Sequence, residues 1–262
     1  DRLVLGSPDP AADALAGVPA DLAGPRPRPG RAVHVGRHGA ALCQVALPAA
    51  PCGPATAPVV RVLPLPDEVS ADALPAPDGP CVAIGVGGDD AGPMRVEVTG
   101  SLLVVGPPGS GRTTALATVA AGAAAAGLRV VRQVTAPPDE GTLLVVDDLD
   151  DREARDPAAA DVLTAYLLAG GRLVAATTTA HAVAAFRGPV PALVRDRRLL
   201  VLDPAEPGSG ELLGPEAGWL VDPRRHPPGR GALRLGREVT AVQVAAMPRA
   251  SGQAPSTPRP VG

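Results

Sequence analysis

The sequence predicts an α/β fold with a mainly parallel sheet flanked by helices, and three observations lead to that prediction. Short apolar runs alternate with longer Ala- and Leu-rich runs between residues 81 and 202. A Gly-rich segment at 106–111 stands between an apolar run and an Ala-rich run. A second apolar run, at 143–146, ends in acidic residues. Strands that alternate with helices are typical of doubly wound, mainly parallel sheets.

The individual elements follow from the apolar runs and from the residues that start or stop them. A helix is expected over 113–126, because the segment is rich in Ala and ends at Gly127. A second helix is expected over 157–168, with Asp156 as its N-cap and Pro157 at its first position. Further expected elements are strands at 81–86, 94–98, 102–105, 128–134, 143–146, 173–176 and 199–202, and a short helix at 181–186.

The connection between two of these strands is unusually short. Only residues 135–141 separate the strand at 128–134 from the strand at 143–146. Parallel neighbours normally need a crossover of a dozen or more residues, usually helical. The order of the strands in this region therefore stays open.

Composition restricts the classes of function. The 262 residues carry a net charge of −3, with 1% aromatic residues and Arg as the sole basic side chain besides His. This charge is not that of a protein that binds nucleic acid through its whole surface, which leaves a local Arg patch as the alternative, and base stacking on single strands has little support. The three Cys and four His lack the spacing of a metal site. No apolar run in the sequence is long enough to predict a membrane span.

Two parts of the chain repeat the same order of segments. They comprise residues 2–5, 30–37 and 43–48 in the first part, and residues 198–202, 229–237 and 242–248 in the second. We therefore expect a repeated domain, with chance similarity in a biased composition as the alternative. The chain starts at Asp1 rather than Met, and we expect it to be a fragment of a longer protein.

The repeat divides the chain into four predicted regions. Residues 1–48 are expected to be the C-terminal remnant of a preceding domain, and 81–248 a whole related domain. Between them, 49–80 is expected to be a Pro- and Ala-rich linker with a short edge strand at 59–65, because Pro favours extended backbone. Residues 249–262 are expected to be a disordered tail.

The Gly-rich segment has the spacing of a phosphate-binding loop. Its residues are Gly106, Pro107, Pro108, Gly109, Ser110, Gly111, Arg112 and Thr113, followed by Thr114. In such a loop, small residues let consecutive backbone amides point at phosphates, and the following helix adds its positive end. We expect these residues to bind a nucleotide and Thr113 to hold Mg²⁺. An ordinary Gly/Pro turn is the alternative, which the flanking strand and helix disfavour.

Arg112 occupies the position where the pattern requires Lys. Lys is a compact point charge, whereas Arg is a larger planar fork, so the exchange is not conservative at a tight site. Arg can still pair with phosphate through two hydrogen bonds. The sequence therefore predicts that phosphate binding survives and that hydrolysis is impaired.

Two further strand ends are expected to complete the site. Asp147 follows the apolar run at 143–146, as in a Walker B motif, and is expected to hold Mg²⁺. Asp148 is the candidate for the acid that polarises water, although it is one methylene shorter than the usual Glu. Thr177, with Thr178 close behind, is the candidate sensor of the γ-phosphate, and Thr179 is expected to be a helix N-cap. A solvated acidic loop is the alternative for the acids.

At these residues the chain resembles the FtsK/SpoIIIE ATPases. The resemblance covers about two-thirds of the chain, and its segments are 84–86, 92–93, 102–113, 147–148, 177, 212–214 and 228–231. It implies a RecA-like P-loop NTPase fold with a C-terminal β extension, with ATP and Mg²⁺ as cofactors. Tandem domains of this type, of which the last is often degenerate, are similar to the type VII secretion ATPases and forkhead-associated proteins of actinobacteria.

The resemblance also implies partners and a location. It implies neighbouring ATPase domains of the same chain, a homo-oligomer, and either DNA or a secreted protein as the moved polymer. It implies a cytoplasmic protein, held at the inner face of the membrane by upstream segments. The chain departs from the pattern at Arg112 and Asp148, and no Arg lies at 203–210, where active relatives tend to carry one. Arg195, Arg197 and Arg198 are read as a solvated face, with a trans-acting finger as the alternative.

Three hypotheses of function follow. The first is an ATP-binding module of a tandem motor protein, weak or regulatory in hydrolysis. The second is an active, ATP-driven DNA translocase with DNA-binding loops. The third is a small P-loop kinase, which the repeated segments argue against, because a kinase has no need of a repeated tail.

Overall fold

The computed structural model describes residues 2–5, 10–26, 28, 30–36, 39–45, 63–214 and 227–247. They divide into two compact units, Asp1–Val59 and Val60–Gly262, called unit 1 and unit 2. The predicted tail at 249–262 lies outside the described residues, as does most of the predicted strand at 59–65. Residues 63–65 are not in a strand.

Unit 1 is a small antiparallel sheet with one short helix. Its elements are β1 (Arg2–Leu5), α1 (Pro10–Leu15), β2 (Arg31–Gly36) and β3 (Gly39–Gln44). The sheet order is β1-β2-β3, with both pairs antiparallel. Buried Asp13 of α1 pairs with Arg26 at 2.9 Å. The hydrogen bonds from Arg26 hold the pKa of Asp13 below its ordinary range.

The strands of unit 2 carry most of the predicted sequence features. They are β4 (Cys81–Gly87), β5 (Gly92–Glu97), β6 (Leu102–Val105), β7 (Arg129–Val131), β8 (Thr142–Val146), β9 (Arg172–Thr177), β10 (Arg198–Leu202), β11 (Arg230–Leu235) and β12 (Glu238–Val244). Within the described part of unit 2 they form one nine-stranded sheet, in the order β5-β4-β12-β11-β10-β6-β9-β8-β7.

The helices of unit 2 connect these strands. They are α2 (Arg112–Ala125), α3 (Leu149–Arg155), α4 (Pro157–Leu168), α5 (Thr179–Ala184), α6 (Val190–Arg195) and α7 (Ser209–Leu213). Asp156 caps α4 as predicted, because its carboxylate accepts hydrogen bonds from the amides of Ala158 and Ala159. Three of these helices, α3, α6 and α7, were not expected from the sequence, and they have seven, six and five residues.

The sheet has a parallel half and an antiparallel half. The strands from β10 through β6, β9 and β8 to β7 are all parallel neighbours. Beyond β10, the strands β11, β12, β4 and β5 pair in antiparallel fashion. The α/β class and the parallel arrangement of the motif-bearing strands agree with the prediction, and β11 and β12 form the expected C-terminal β extension.

The short connection noted in the sequence joins two neighbouring strands without a helix. β7 pairs in parallel with β8, with Val131 opposite Leu144. Residues 132–141 form the link, and Asp139 fixes its end by accepting hydrogen bonds from the amide of Gly141 and the hydroxyl of Thr142. The chain therefore makes a parallel crossover with fewer residues than usual, because turn-forming polar contacts replace a helix.

The core lies on both faces of the sheet. Along β6, Leu102 and Val104 pack with α2, whereas Leu103 and Val105 pack with residues of α4 and α6. This alternation is the period-two pattern of a strand that is covered on both faces. Apolar packing on both sides therefore holds β6 in a fixed position under the loop that follows it.

Residues 63–80, predicted to belong to a linker, lie against unit 2. Ser70 forms a parallel bridge with Ala246, and Arg230 donates hydrogen bonds to the carbonyl oxygens of Leu65 and Pro66. We call residues 63–70 the strap. The sequence predicted a linker with a strand at 59–65, whereas residues 63–65 are not in a strand and the partners of the segment lie far along the chain.

The repeated segments have the same connectivity and register in both units. Leu5 pairs with Ala32 in unit 1, as Leu202 pairs with Gly231 in unit 2. Arg31 pairs with Gln44, as Arg230 pairs with Gln243. The glycines before those arginines, Gly30 and Gly229, have φ values of 77° and 86°. The sequence repeat is therefore a repeat of three-dimensional structure.

Candidate nucleotide-binding site

The predicted site residues converge at one edge of the parallel half-sheet. β6, β9 and β8 are consecutive parallel strands, and their carboxyl ends carry the loop at 106–111, Thr177 and Asp147. The amide of Gly106 donates to the carbonyl oxygen of Thr177 at 3.3 Å. Ligands of open α/β sheets bind at this carboxyl edge. Topology therefore brings together three features that lie far apart in the sequence.

The loop itself depends on glycine at three positions. A Cβ at Gly106 would lie 2.6 Å from the Ser110 hydroxyl and 3.0 Å from the Leu202 Cβ. Gly109 and Gly111 have φ values of 82° and 100°, in the left-handed region that side chains disfavour. The loop then enters α2, which begins at Arg112 and runs for 14 residues. The backbone therefore has the form of an anion cradle at a helix N-terminus.

The C-terminal β extension holds this loop from the side. The amide of Gly229 donates to the carbonyl oxygen of Ser110 at 2.7 Å, and a Cβ at Gly111 would lie 3.0 Å from the Gly229 nitrogen. Ser110 is buried, and its hydroxyl has no partner among the described residues. The close approach of Gly229 to the loop is possible only because Gly111 has no side chain.

Thr113 and Asp147 lie together, as a shared Mg²⁺ site requires. The Thr113 hydroxyl donates to Asp147 Oδ2 at 2.7 Å, and Asp147 Oδ1 accepts from the Asp148 amide at 2.9 Å. Hydroxyl and carboxylate oxygens are the ligands that Mg²⁺ prefers, with phosphates and water completing the shell. The two oxygens therefore fit a Mg²⁺ ion that also contacts a bound nucleotide.

Arg112 and Asp148, the two departures from the usual pattern, contact each other. Arg112 Nη2 donates to Asp148 Oδ1 at 2.9 Å. The Arg112 side chain is 12% exposed, whereas that of Asp148 is 56% exposed. Arg112 Nη1 is buried and has no partner among the described residues. Asp148 has a φ of 44°, uncommon for a residue with a side chain. The Arg112 guanidinium therefore forms an ion pair with Asp148, the carboxylate that was expected to orient the attacking water.

Thr177 is buried between the loop and the acidic strand end. Its hydroxyl has no partner among the described residues. Thr178, rather than the predicted Thr179, is the N-cap of α5, because its hydroxyl accepts from the His181 amide at 3.3 Å. The prediction for Thr179 was wrong by one residue, because the strand continues to Thr177 and the helix begins two residues earlier than expected.

The acids after Asp148 belong to a helix rather than to a solvated loop. Asp150 Oδ2 accepts from the Thr178 hydroxyl at 3.0 Å, which ties α3 to α5. Glu153, one turn further along, lies 3.1 Å from His181 Nε2. Burial raises the pKa of Glu153 above its ordinary value of 4.5, against the opposing effect of His181. These contacts couple the helix after Asp148 to the helix after Thr177.

Two cavities flank the loop on either side of the C-terminal β extension. One, of about 360 Å³, is lined by Gly111 and Thr114, by Pro228 and Val244, and by the strap residues 67–69. The other, of about 180 Å³, is lined by Pro107, Pro108, Gly109 and Ser110 with Asp203, Pro227, Pro228 and Arg230. The larger volume falls within the range of small-molecule sites.

Arg230 joins the second cavity to the strap. Its Nε donates to Gln243 Oε1 at 2.9 Å, and its Nη2 contacts the strap at Leu65, Pro66 and Asp67. The sequence analysis did not assign a role to Arg230 or to the strap. The segment at 228–231 pointed to Arg230, but no local pattern could reveal a partner more than 160 residues away.

The arginines at 195–198 lie at the opposite edge of the sheet. Arg198 begins β10, whereas the phosphate loop follows the end of the parallel neighbour β6. Arg198 donates to the carbonyl oxygens of Ser101 and Glu97, which precede β6. Arg198 therefore supports the start of the sheet rather than the site of its own chain, and a trans-acting role for this cluster stays a prediction.

Known structures share this fold, although sequence comparison alone finds no relative. No protein-family model and no curated protein matches the chain. The cytoplasmic domain of the type VII secretion ATPase EccC from Thermomonospora curvata matches at a TM-score of 0.54 and 20% identity, over 87% of this chain and 35% of that one. The chain thus spans about a third of that neighbour.

Two further matches contain tandem ATPase domains. ATPases 2 and 3 of T. curvata EccC, in complex with a signal sequence peptide, match at a TM-score of 0.55 and 21% identity, over 85% of this chain and 54% of that one. ATPases 2 and 3 of EssC from Geobacillus thermodenitrificans match at 0.52 and 15%, over 87% and 58%. The chain has a mixed α/β fold like that of these ATPase domains, which supports the resemblance to FtsK/SpoIIIE-type ATPases.

Proposed function

We propose that unit 2 is a RecA-like, ATP-binding module of a tandem FtsK/SpoIIIE-type motor protein, and that it hydrolyses ATP weakly or not at all. The contact of Thr113 with Asp147 at 2.7 Å, beside an intact glycine cradle, is the observation that carries this proposal. An isolated Gly-rich turn would not be accompanied by an acid at the neighbouring strand end.

The chain's own residues account for binding. The amides of Gly109 and of residues 111–113, at the N-terminus of α2, donate hydrogen bonds to the phosphates, and the base and ribose enter the cavity beside Thr114. Thr113 and Asp147 hold Mg²⁺, which when bound neutralises phosphate charge. Thr177 stays the predicted sensor of the terminal phosphate, and its buried hydroxyl has no partner among the described residues.

The pair of Arg112 and Asp148 explains why hydrolysis is weak. The Asp148 oxygen that accepts a hydrogen bond from Arg112 has fewer lone-pair sites left to orient an attacking water. Arg112 can bond either to a phosphate or to Asp148. Its planar guanidinium suits a phosphate, because it can donate two parallel hydrogen bonds to one. The nucleotide therefore competes with Asp148 for Arg112. The site binds ATP, and binding changes the partner of Arg112, but hydrolysis of the bound ATP is slow.

The partners follow from the same proposal. Neighbouring ATPase domains of one polypeptide, in a homo-oligomer, are the expected contacts, and bound ATP would rigidify the interfaces between them. We infer that a secreted polypeptide, rather than DNA, is the moved substrate, because one structural neighbour holds a signal sequence peptide. Among the described residues, no helix has the length and apolarity of a membrane span. Location at the cytoplasmic face of a membrane remains part of the proposal.

The test combines binding and turnover on the full chain. Calorimetry with Mg-ATP is expected to show binding, while phosphate release stays below about 0.1 s⁻¹, a hundredth of a typical enzyme turnover. Arg112→Ala is expected to weaken binding by about tenfold to a hundredfold, the value of a hydrogen bond to a charged group. Asp148→Asn is expected to strengthen binding several-fold, because it removes the competing carboxylate.

The double variant R112K/D148E restores the usual residues and is expected to raise turnover above that of the wild-type chain. Arg155→Lys is the matched control, because Arg155 is an exposed arginine on α3 whose ion pair with Asp151 lies outside the site. Absence of any heat with Mg-ATP would refute the binding function. Rapid hydrolysis by the wild-type chain would refute the weak-turnover part alone.

A further inference from the structure

Unit 1 contains a cavity of about 370 Å³ whose lining residues all belong to unit 1. This volume falls within the range of small-molecule sites. Around the turn at 23–25, the wall consists of three arginines, one acid and two leucines, namely Arg26, Arg28, Arg31, Asp21, Leu22 and Leu42. Basic side chains outnumber acidic ones in this wall, so the cavity favours an anion.

Arg26 is held in a fixed position at this cavity. Its side chain is 4% exposed and donates two hydrogen bonds to Asp13, whose side chain is 0% exposed. Asp13 also accepts from the amide of Gly24 at 2.8 Å, and Arg26 Nη2 donates to the carbonyl oxygen of Leu22 at 3.1 Å. Arg26 Nε is buried and has no partner among the described residues. The ion pair therefore fixes the cavity wall and leaves one donor of Arg26 unused.

The other two arginines of the cavity have unused guanidinium groups. Within the part of the chain that the structure describes, neither the Arg28 nor the Arg31 side chain has a hydrogen-bond or ion-pair partner. By strand register, Arg31 corresponds to Arg230 of unit 2. Arg230 Nη2 bonds there to two carbonyl oxygens and to the carboxylate of Asp67. The same position of the repeat therefore binds oxygen atoms in unit 2, whereas its donors are open in unit 1.

The number of guanidinium groups favours a phosphate over a carboxylate. A carboxylate has two oxygens, and one guanidinium can bond to both, as Arg26 does with Asp13. A phosphate monoester has three terminal oxygens and a charge of about −1.5 to −2 at pH 7, so it can bond to several guanidinium groups at once. Leu22 is partly buried and Leu42 is exposed, and both offer apolar surface for the organic part of such a ligand.

We propose that this cavity binds a small organic phosphate monoester, with the phosphate on Arg26, Arg28 and Arg31 and the organic part against Leu22 and Leu42. The proposal does not rest on the nucleotide site, because every residue in it belongs to unit 1. The cavity is about as large as the one assigned above to a base and ribose alone, at about 370 and 360 Å³. A complete nucleoside triphosphate is therefore too large for it.

The test follows the binding of phenyl phosphate to the full chain by nuclear magnetic resonance. The nucleotide site is first saturated with Mg²⁺ and a non-hydrolysable ATP analogue, so that the loop at 106–113 does not take up the probe. We expect saturable shift changes at the amides of Ala23, Gly24 and Arg26 and at the side-chain Nε–H groups of the three arginines. Absence of any shift at 106–113 with the analogue would refute the proposed function, and the phenyl phosphate titration would still test this inference.

Two neutral variants locate the phosphate. Arg28→Gln and Arg31→Gln are each expected to weaken phenyl phosphate binding about tenfold to a hundredfold, the value of a hydrogen bond to a charged group. Neither variant is expected to unfold unit 1, because neither side chain has a partner among the described residues. Asp21→Asn is expected to strengthen binding several-fold, because it removes a like charge. Arg2→Gln is the matched control, because Arg2 is exposed, contacts the Ala16 carbonyl oxygen and lies outside the cavity.

Four results would overturn the inference. Absence of saturable shifts in unit 1 would show that the cavity does not bind the probe. An equal loss of affinity in Arg2→Gln and Arg31→Gln would show a general attraction of anions. Benzoate binding as tightly as phenyl phosphate would assign the arginines to a carboxylate. Inorganic phosphate binding as tightly as phenyl phosphate would show that Leu22 and Leu42 contact no part of the ligand.

Discussion

The strands β1, β2 and β3 of unit 1 and the strands β10, β11 and β12 of unit 2 form the same three-stranded sheet in different surroundings. Both copies place a left-handed glycine before an arginine that pairs with a glutamine on the next strand. In unit 2 the sheet lies between β6 and the hairpin of β4 and β5, and Leu200, Leu202 and Val244 are buried. In unit 1 their counterparts Leu3, Leu5 and Val45 are exposed, whereas Ala32 and Val33 are buried. The local sequence therefore determines the register of the three strands, and the neighbouring elements determine which of their side chains are buried.

The largest difference between the two sheets is expected when a charge replaces the corresponding leucines, Leu202 and Leu5. Leu202→Asp is expected to destabilise unit 2 by about 4 kcal/mol or more, because it buries an unpaired carboxylate. Leu5→Asp is expected to change stability by no more than about 0.5 kcal/mol, as for other exposed positions. All three aromatic residues, at 166, 186 and 219, lie in unit 2, so near-ultraviolet circular dichroism reports on that unit alone.

An equal loss of stability in Leu202→Asp and Leu5→Asp would contradict the conclusion that Leu202 is buried and Leu5 is exposed. For Leu5→Asp, hydrogen exchange of unit 1 provides the readout, since unit 1 has no aromatic residue.

A smaller effect is expected at the matched glycines. Gly30→Ala and Gly229→Ala each place a side chain in the left-handed region, at a cost of about 1–2 kcal/mol. Only Gly229 donates to the carbonyl oxygen of Ser110, so only Gly229→Ala is expected to weaken Mg-ATP binding. Thermal unfolding and calorimetry on both variants provide the measurements. Loss of nucleotide affinity in Gly30→Ala would show that the copies do not act separately.

The smallest effect is expected on the stability of unit 1 at low pH. The hydrogen bonds from Arg26 lower the pKa of Asp13 below its ordinary value of 3.8, so the folded state favours the carboxylate. This contribution to stability is fully present above pH 3.8 and is lost as pH falls through the lowered pKa. Hydrogen exchange of unit 1 against pH is expected to show this loss in the wild-type chain.

Asp13→Asn provides the control for that titration. It is expected to leave unit 1 less stable at neutral pH, because it removes the partner of a buried guanidinium, and to flatten the acid dependence. A variant with the same pH profile as the wild-type chain would show that another carboxylate governs the transition.

Much of this architecture could be predicted from the sequence, because its signals are local. β6, β8 and α4 were recognisable from apolar runs, a Pro at the first helical position and an Asp cap. The loop at 106–113 was recognisable because its glycines meet conformational demands that no other residue meets as well. The C-terminal β extension was implied by the resemblance to the FtsK/SpoIIIE ATPases, and its two strands fall in the repeated segments 229–237 and 242–248.

Other features had no local signal. The strap was read as a linker because its backbone partners, Arg230 and Ala246, lie more than 160 residues away. The helix α3 was not predicted, and an acidic loop was the alternative for its first residues, because its only buried apolar residue is Leu149. The contact of Arg112 with Asp148 spans 36 residues and depends on the strand order, which the sequence left open. Each of these features is set by tertiary packing rather than by propensity.

The two three-stranded sheets differ in one respect that matters for function. The sheet of β10, β11 and β12 contacts the predicted phosphate-binding loop at 106–111, whereas the sheet of β1, β2 and β3 contacts no such loop among the described residues. The most direct test is the number of nucleotides bound per chain, measured by calorimetry of the full chain with Mg-ATP. We predict one site per chain, unchanged by Leu5→Lys and weakened about tenfold to a hundredfold by Arg112→Ala. Two sites per chain, or none, would contradict the account.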